Sequence, residues 1–151
     1  MPITRLKELL DKENVRYITI GHSPAFTAQE IAERAHVPGK ELAKPVIVRI
    51  DDELAMVVVP ASEHVRLEHL REMLGADRVE LAHEYEFKDA FPDCEVGAMP
   101  PFGNLYGMKV FVSETLREDD EIFFNAGSHS ELMRVPYAEF ERLVEPTPLA
   151  A

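Results

Sequence analysis

The stretch LAKPVIVRIDDELAMVVV, from Leu42 to Val59, predicts the centre of the fold. Both halves are rich in β-branched and other apolar residues, and the Asp51-Asp52 pair between them is typical of a turn. The stretch therefore predicts a β-hairpin. The second half, Leu54–Val59, is apolar on both faces, which predicts a strand in the middle of a sheet.

Apolar periodicity on either side of this hairpin predicts the other elements. Helices are predicted at 3–14, from Ala28 to the residue before Pro38, at 67–74, at 84–90 and at 137–144. A capping box of Thr27 and Glu30 supports the second helix, and Gly75 is a C-terminal stop for the third. Short strands are predicted at 17–20, 78–81, 108–112, 121–124 and 132–135. The order predicts a single mixed α/β domain around one curved sheet, spanning residues 1–145, with a frayed tail at 146–151.

Composition narrows the possible functions. The chain of 151 residues carries 28 acidic and 16 basic side chains, for a net charge of −12. Proteins that hold long nucleic acid duplexes present a basic face, so we expect no DNA binding, and any RNA contact should be small and local. No apolar run approaches the roughly 20 residues of a membrane helix. The charged N-terminus and the single Cys94 lead us to expect a cytoplasmic protein.

The segment from Val96 to Gly107, with the sequence VGAMPPFGNLYG, is rich in glycine and proline and predicts a loop. Proline removes backbone donors, and glycine lets a backbone N–H approach a ligand without an intervening side chain. The composition fits a shaped loop that binds through its amides. An apolar turn between two strands fits it equally well.

Two further candidates for a site carry polar groups among apolar strands. Lys44 shares a predicted strand face with apolar residues, so its ammonium needs a partner, a ligand or access to water at the strand end. The segment from Asn125 to Ser130 gathers an amide, a glycine, two hydroxyls and an imidazole, which suits either the orientation of a water molecule or a simple polar turn. No histidine, cysteine or carboxylate set has the spacing of a metal site, and no phosphate-binding or dinucleotide-binding glycine pattern occurs. We therefore expect neither a metal nor a cofactor.

Taken together, these segments resemble the YbaK/ProX-type editing domain. The family includes free-standing aminoacyl-tRNA deacylases and the editing insertion of bacterial prolyl-tRNA synthetases. The resemblance covers almost the whole chain, and its most specific elements are the strand lysine Lys44 and the Gly-x-x-x-Pro loop from Gly97 to Pro101. It implies a mixed α/β domain with a strongly curved, barrel-like sheet flanked by helices.

The resemblance also implies a reaction, the hydrolysis of the ester that joins a wrong amino acid to the terminal adenosine of tRNA. It implies that the loop backbone holds the ester and the attacking water, and that the lysine binds a phosphate. The catalytic candidates are Gly97, Pro101 and His129. The candidates for substrate binding are Lys44, Ala98, Met99, Asn125, Gly127 and Ser128.

Two departures from the family pattern leave the amino acid specificity open: Pro45 follows the lysine where many relatives have Thr or Ser, and the loop 125–130 has an unfamiliar form. The implied partner is the acceptor end of an aminoacyl-tRNA. Because the chain is acidic, docking through an aminoacyl-tRNA synthetase would help it reach that substrate. Two alternatives remain, namely a non-catalytic binding module of the same fold and a hydrolase of small free esters.

Overall fold

The computed structural model describes residues 4–21, 38–95 and 97–149. Within them lie four α-helices: α1 (Thr4–Lys12), α2 (Leu67–Leu74), α3 (Glu84–Phe87) and α4 (Tyr137–Val144). The same residues form eight strands: β1 (Ile18–Gly21), β2 (Ala43–Ile50), β3 (Glu53–Pro60), β4 (Val79–Leu81), β5 (Lys109–Ser113), β6 (Glu121–Asn125), β7 (Glu131–Pro136) and β8 (Thr147–Leu149). The predicted helix from Ala28, with its capping box, lies outside the described residues.

The predicted hairpin is confirmed as the centre of the larger sheet. Strands β2 and β3 pair antiparallel, and β3 is the middle strand of the order β4-β2-β3-β5-β8. The turn between them has Asp51 at a φ of 53°, a conformation that Asp adopts more readily than most residues. The Asp51 carboxylate accepts hydrogen bonds from the backbone N–H groups of Asp77 and Arg78, both at 3.0 Å. These bonds fix the chain where it enters β4.

The prediction of a mixed α/β fold is confirmed, but the prediction of a single, barrel-like sheet is wrong. The described strands form two sheets, because β1, β7 and β6 pair separately in the order β1-β7-β6. A single parallel bridge between Leu42 and Phe123 joins this smaller sheet to the beginning of β2. Pro45 explains why the pairing between the two sheets stops after this bridge. It has no backbone N–H to continue a hydrogen-bond ladder along this edge of β2.

The core lies on both faces of the larger sheet. On one face, alternate residues of β3, Met56 and Val58, join a cluster that includes the rings of Phe102, Phe124 and Phe140. Phe102 lies 5.5 Å from Phe124 and 5.6 Å from Phe140 between ring centroids. On the other face the intervening residues, Val57 and Val59, pack against Leu70 of α2. This alternation explains why β3 is apolar throughout.

The ends of the elements differ little from the predictions. Helix α2 stops at Gly75 with a φ of 64°, as its sequence predicts. The tail departs from the predicted fraying, because Thr147–Leu149 pairs parallel with β5 as strand β8. In the part of the chain that the structure describes, no helix combines the length and the apolarity needed to cross a membrane.

Candidate functional site

A cavity of about 370 Å³ opens where the two sheets separate. Three of the residues predicted from the sequence line it, and they come from three distant segments: Lys44, Gly97 and Asn125. The rest of the described lining is mostly apolar and consists of Leu42, Ala43, Pro45, Val46, Ile47, Leu81, Ala82 and Phe87. An apolar pocket with a few convergent polar groups is the usual form of a small-molecule site.

One wall of the cavity is the outer edge of β2. At one end of this edge, the carbonyl of Glu41 accepts a hydrogen bond from Phe123 N–H at 2.9 Å. At the other end, the carbonyl of Ile47 accepts one from Ala82 N–H at 3.0 Å. Backbone groups point to alternate sides along a strand, so the carbonyls of Ala43 and Pro45 point to this same edge. The gap between the sheets is therefore bounded by backbone acceptors.

Lys44 lines the cavity, but its ammonium bonds to the backbone of Glu63, a residue that lines a second cavity instead. Lys44 Nζ donates a hydrogen bond to the Glu63 carbonyl oxygen at 2.9 Å. Partial burial lowers the pKa of Lys44, because the ammonium loses water contacts that favour its charged form. Glu63 is itself fixed, since its Oε1 accepts a hydrogen bond from Ser113 Oγ at 3.2 Å. The ammonium keeps two further N–H groups that an anion can use.

The two candidate loops are bonded to each other. Glu95 N–H donates to the Gly127 carbonyl at 2.7 Å, and Gly127 N–H donates to the Ala98 carbonyl at 3.0 Å. Gly127 has a φ of 101°, a conformation that side chains other than hydrogen rarely allow. The pair of bonds holds the loop after β6 against the Gly-x-x-x-Pro loop.

Gly97 and His129 face each other across this junction. Gly97 has a φ of 84°, and a Cβ built on it would lie 3.5 Å from Cε1 and 3.9 Å from Nε2 of the His129 ring. Among the described residues, no hydrogen bond uses the Gly97 N–H, whereas Ala98 N–H donates to the Glu95 carbonyl at 3.0 Å. Gly97 is thus a residue of the cavity lining whose amide has no hydrogen bond within the described part of the chain.

Asn125 contributes a polar atom that lacks a partner. It is the last residue of β6 and lines the cavity, and its Oδ1 is buried without a hydrogen bond among the described residues. A buried amide oxygen without a partner costs free energy, so a donor that reached this atom would be bound.

Most of the remaining predicted residues are buried and are not part of the described cavity lining. Ala98 is fully buried, Met99 packs in the core with 4% of its surface exposed, and Pro101 is also buried. Ser128 is buried as well, and its Oγ accepts a hydrogen bond from Ser130 N–H at 3.4 Å. These residues shape the loops. Met99 does not line the cavity, so its placement gives no support to the prediction that its side chain selects the amino acid.

Sequence reasoning missed two parts of the site. One wall is formed by Leu81 at the end of β4, Ala82, and Phe87 at the end of α3, and these apolar side chains carry no sequence signal of a site. The partner of Lys44 is a backbone carbonyl, and no residue type encodes it.

Cys94 is not a strong nucleophile, because burial raises the pKa of its thiol to about 11. In the described ranges, no cluster of three His, Cys, Asp or Glu side chains has the arrangement of a metal site.

Comparison with known proteins gives the family of this chain. The model of the family described as the aminoacyl-tRNA editing domain matches residues 22–143. The Multifunctional Ser/Thr-tRNA deacylase ProXp-y of Escherichia coli (strain K12) is 25% identical over 147 residues, covering 94% of this chain and 87% of that protein. The proline–tRNA ligase of Leuconostoc citreum (strain KM20) is 30% identical over 105 residues, which cover 70% of this chain but only 18% of the ligase.

Two solved structures have the same fold. A crystal structure of a candidate trans-editing enzyme for prolyl tRNA synthetase superposes with a TM-score of 0.80 at 17% identity, covering 97% of this chain and 93% of that one. A crystal structure of a hypothetical protein superposes with a TM-score of 0.85 at 20% identity, covering 97% of both chains.

Proposed function

The chain belongs to the aminoacyl-tRNA editing domain family, and on that premise we propose that it is a free-standing hydrolase that removes a wrongly attached amino acid from the terminal adenosine of tRNA. One observation carries the proposal: a single cavity is lined by Lys44, Gly97 and Asn125, with His129 against Gly97. An amide donor, a cation and an acceptor for water are the groups that ester hydrolysis at a nucleotide end requires.

The reaction needs no protein nucleophile. A water molecule adds to the ester carbonyl carbon, and the bond between that carbon and the ribose oxygen then breaks. The ribose oxygen takes up a proton, and the products are the free amino acid and a tRNA that ends in a hydroxyl. Negative charge develops on the carbonyl oxygen during the addition, and Gly97 N–H is the donor we place there. A second ribose hydroxyl of the substrate would assist as a proton carrier.

Asn125 and His129 are proposed to orient the water. Asn125 Oδ1 accepts a hydrogen bond from it, which satisfies the buried oxygen. The His129 ring lies over the exposed side of Gly97, where it limits the directions from which water reaches the ester. Lys44 binds the phosphate next to the terminal adenosine as a point charge. Pro101 has no N–H to donate, so we assign it the role of stiffening the loop.

The first test is a deacylation assay across a panel of mischarged tRNAs, including seryl-, threonyl- and alanyl-tRNA, with small aminoacyl esters measured in parallel. We expect turnover of at least one aminoacyl-tRNA and at least tenfold slower turnover of the matching small ester, because the ester lacks the phosphate and the base. Turnover of the small esters alone would favour the free-ester hydrolase. Binding of tRNA without any deacylation would favour the non-catalytic module.

Activity is expected to survive removal of divalent ions from the protein. The described lining offers a lysine, an amide and backbone groups, and these are not the donors that bind zinc or magnesium tightly. The measurement is single-turnover deacylation after dialysis against EDTA, with magnesium kept only at the level that the tRNA needs to fold. A loss of activity that zinc or manganese restores would contradict this prediction.

A further inference from the structure

Two exposed aromatic side chains stand beside the cavity. The rings of His83 and Tyr85 are nearly parallel, with an interplanar angle of 6° and centroids 5.4 Å apart. Tyr85 is 72% exposed, more than any other large apolar side chain in the described part of the chain. A stacked and exposed aromatic pair offers a flat apolar face on which the ring of a ligand can pack.

Glu86 connects the segment that carries the aromatic pair to strand β2. The Glu86 carboxylate accepts hydrogen bonds from Nε and Nη2 of Arg49 in β2, at 3.0 and 2.6 Å. The same carboxylate accepts a hydrogen bond from the backbone N–H of His83. Glu86 is 17% exposed at its side chain, so the ion pair is partly shielded from water. The turn that carries both rings is thus anchored to the strand that carries Lys44.

The inner side of this turn is the cavity wall. Leu81 and Ala82 precede the aromatic pair and Phe87 follows it, and all three line the cavity. Phe87 packs against Phe91 with nearly perpendicular rings, whereas Tyr85 is exposed. The two exposed rings therefore belong to the same short segment, residues 81–87, that supplies this wall of the cavity.

The net charge explains why such a contact matters. With 28 acidic side chains against 16 basic ones, the net charge of the chain disfavours broad contact with the phosphates of an RNA. Stacking of an unpaired base on an aromatic ring requires no positive charge, and it is tolerant of base identity. RNA-binding proteins recognise single-stranded ends in this manner.

We infer that His83 and Tyr85 form a stacking platform for an unpaired base at the acceptor end of the substrate tRNA. This inference rests on the proposed function, because the ester in the cavity brings the single-stranded end to this turn. The platform supplies affinity, while the groups at Gly97 supply the chemistry. Its removal should therefore weaken substrate binding without lowering the rate at which the bound substrate is hydrolysed.

The kinetic test varies the enzyme concentration in single-turnover deacylation, which separates the half-saturating concentration from the maximal rate. Replacement Tyr85→Ala is expected to raise the half-saturating concentration about tenfold or more, with the maximal rate within about twofold of the original. Tyr85→Phe keeps the ring and should behave like the original protein. The matched control is Met73→Ala, which removes an exposed apolar side chain from α2 and should change neither quantity. An unchanged half-saturating concentration, or a fall in the maximal rate alone, would overturn the inference.

A binding test separates this inference from the proposed function. An acceptor-stem RNA hairpin without an amino acid carries 2-aminopurine as its last base, and stacking quenches the fluorescence of that base. We expect the original protein and Tyr85→Phe to quench it, and Tyr85→Ala to quench it far less. Quenching without any deacylation would leave the platform standing and remove the proposed function. Deacylation together with equal quenching by the original protein and Tyr85→Ala would support the proposed function and overturn the platform. It would favour a protein partner as the occupant of this surface.

Discussion

Replacement Gly97→Ala is expected to slow single-turnover deacylation by about 10²–10³-fold, the usual effect of losing one donor from an oxyanion site. Gly97 has a φ of 84°, so alanine would strain the backbone there and turn the N–H away from its present direction. Its Cβ would lie in ordinary contact with His129 Cε1 at 3.5 Å. The fold should tolerate the change, with a loss of about 1–2 kcal/mol in the free energy of unfolding.

Gly107→Ala is the matched control for backbone strain. Gly107 has a φ of 74° in the same loop, and a Cβ built there would meet nothing within 4 Å. We expect this variant to lose similar stability in thermal unfolding while it deacylates within about threefold of the original protein. Equal rates for the two glycine variants would show that strain alone accounts for the effect, and the loop would then be a structural turn.

Replacement Lys44→Ala is expected to reduce deacylation by about 30- to 150-fold, which corresponds to the loss of about 2–3 kcal/mol from one charge-assisted contact in a poorly solvated place. The ammonium is held by the Glu63 carbonyl and has two further N–H groups to offer. The loss should appear mainly in the half-saturating concentration if the phosphate is bound equally in the ground and transition states. Lys44→Met keeps most of the apolar stem, so it should show the same loss with a smaller change in melting temperature.

Lys109→Ala provides the control for a lysine in the same sheet. Lys109 begins β5, is exposed, and its Nζ lies 5.3 Å from the centroid of the Phe111 ring. Its removal lowers the positive charge by the same amount but far from the cavity lining, so we expect a rate within about twofold of the original. A folded Lys44→Met protein that deacylates at the original rate would exclude the ammonium from the mechanism.

The sequence predicts most of the larger sheet because its signals are local. The Asp51-Asp52 turn between two apolar runs predicts β2 and β3, and Gly75 predicts the end of α2. These features depend on residues that are neighbours in the chain. The tail could not be predicted in the same way, since the pairing of Thr147–Leu149 with β5 depends on a strand more than thirty residues away.

The sequence predicts the candidate site only in part, because local signals identify single residues but not the residues that the fold brings together. Lys44, Gly97 and Asn125 stand out because a lysine on an apolar strand, a glycine between bulky residues and an amide at a strand end are unusual locally. Their common cavity follows from the separation of two sheets, which the apolar pattern does not encode. Met99 shows the opposite error, because its position in the Gly-x-x-x-Pro loop gives no indication that its side chain turns inward to the core.

Pro45 has a consequence for how this protein meets other chains. A sheet edge with evenly spaced donors and acceptors invites a strand of another molecule to extend it, and this is a common beginning of aggregation. The edge of β2 that borders the cavity has backbone carbonyls on both sides of the gap between the sheets. Between them, Pro45 has no backbone N–H to donate. A strand arriving there would leave one of its own carbonyls unsatisfied. The same residue that keeps the two sheets apart thus also discourages intermolecular pairing at the mouth of the site.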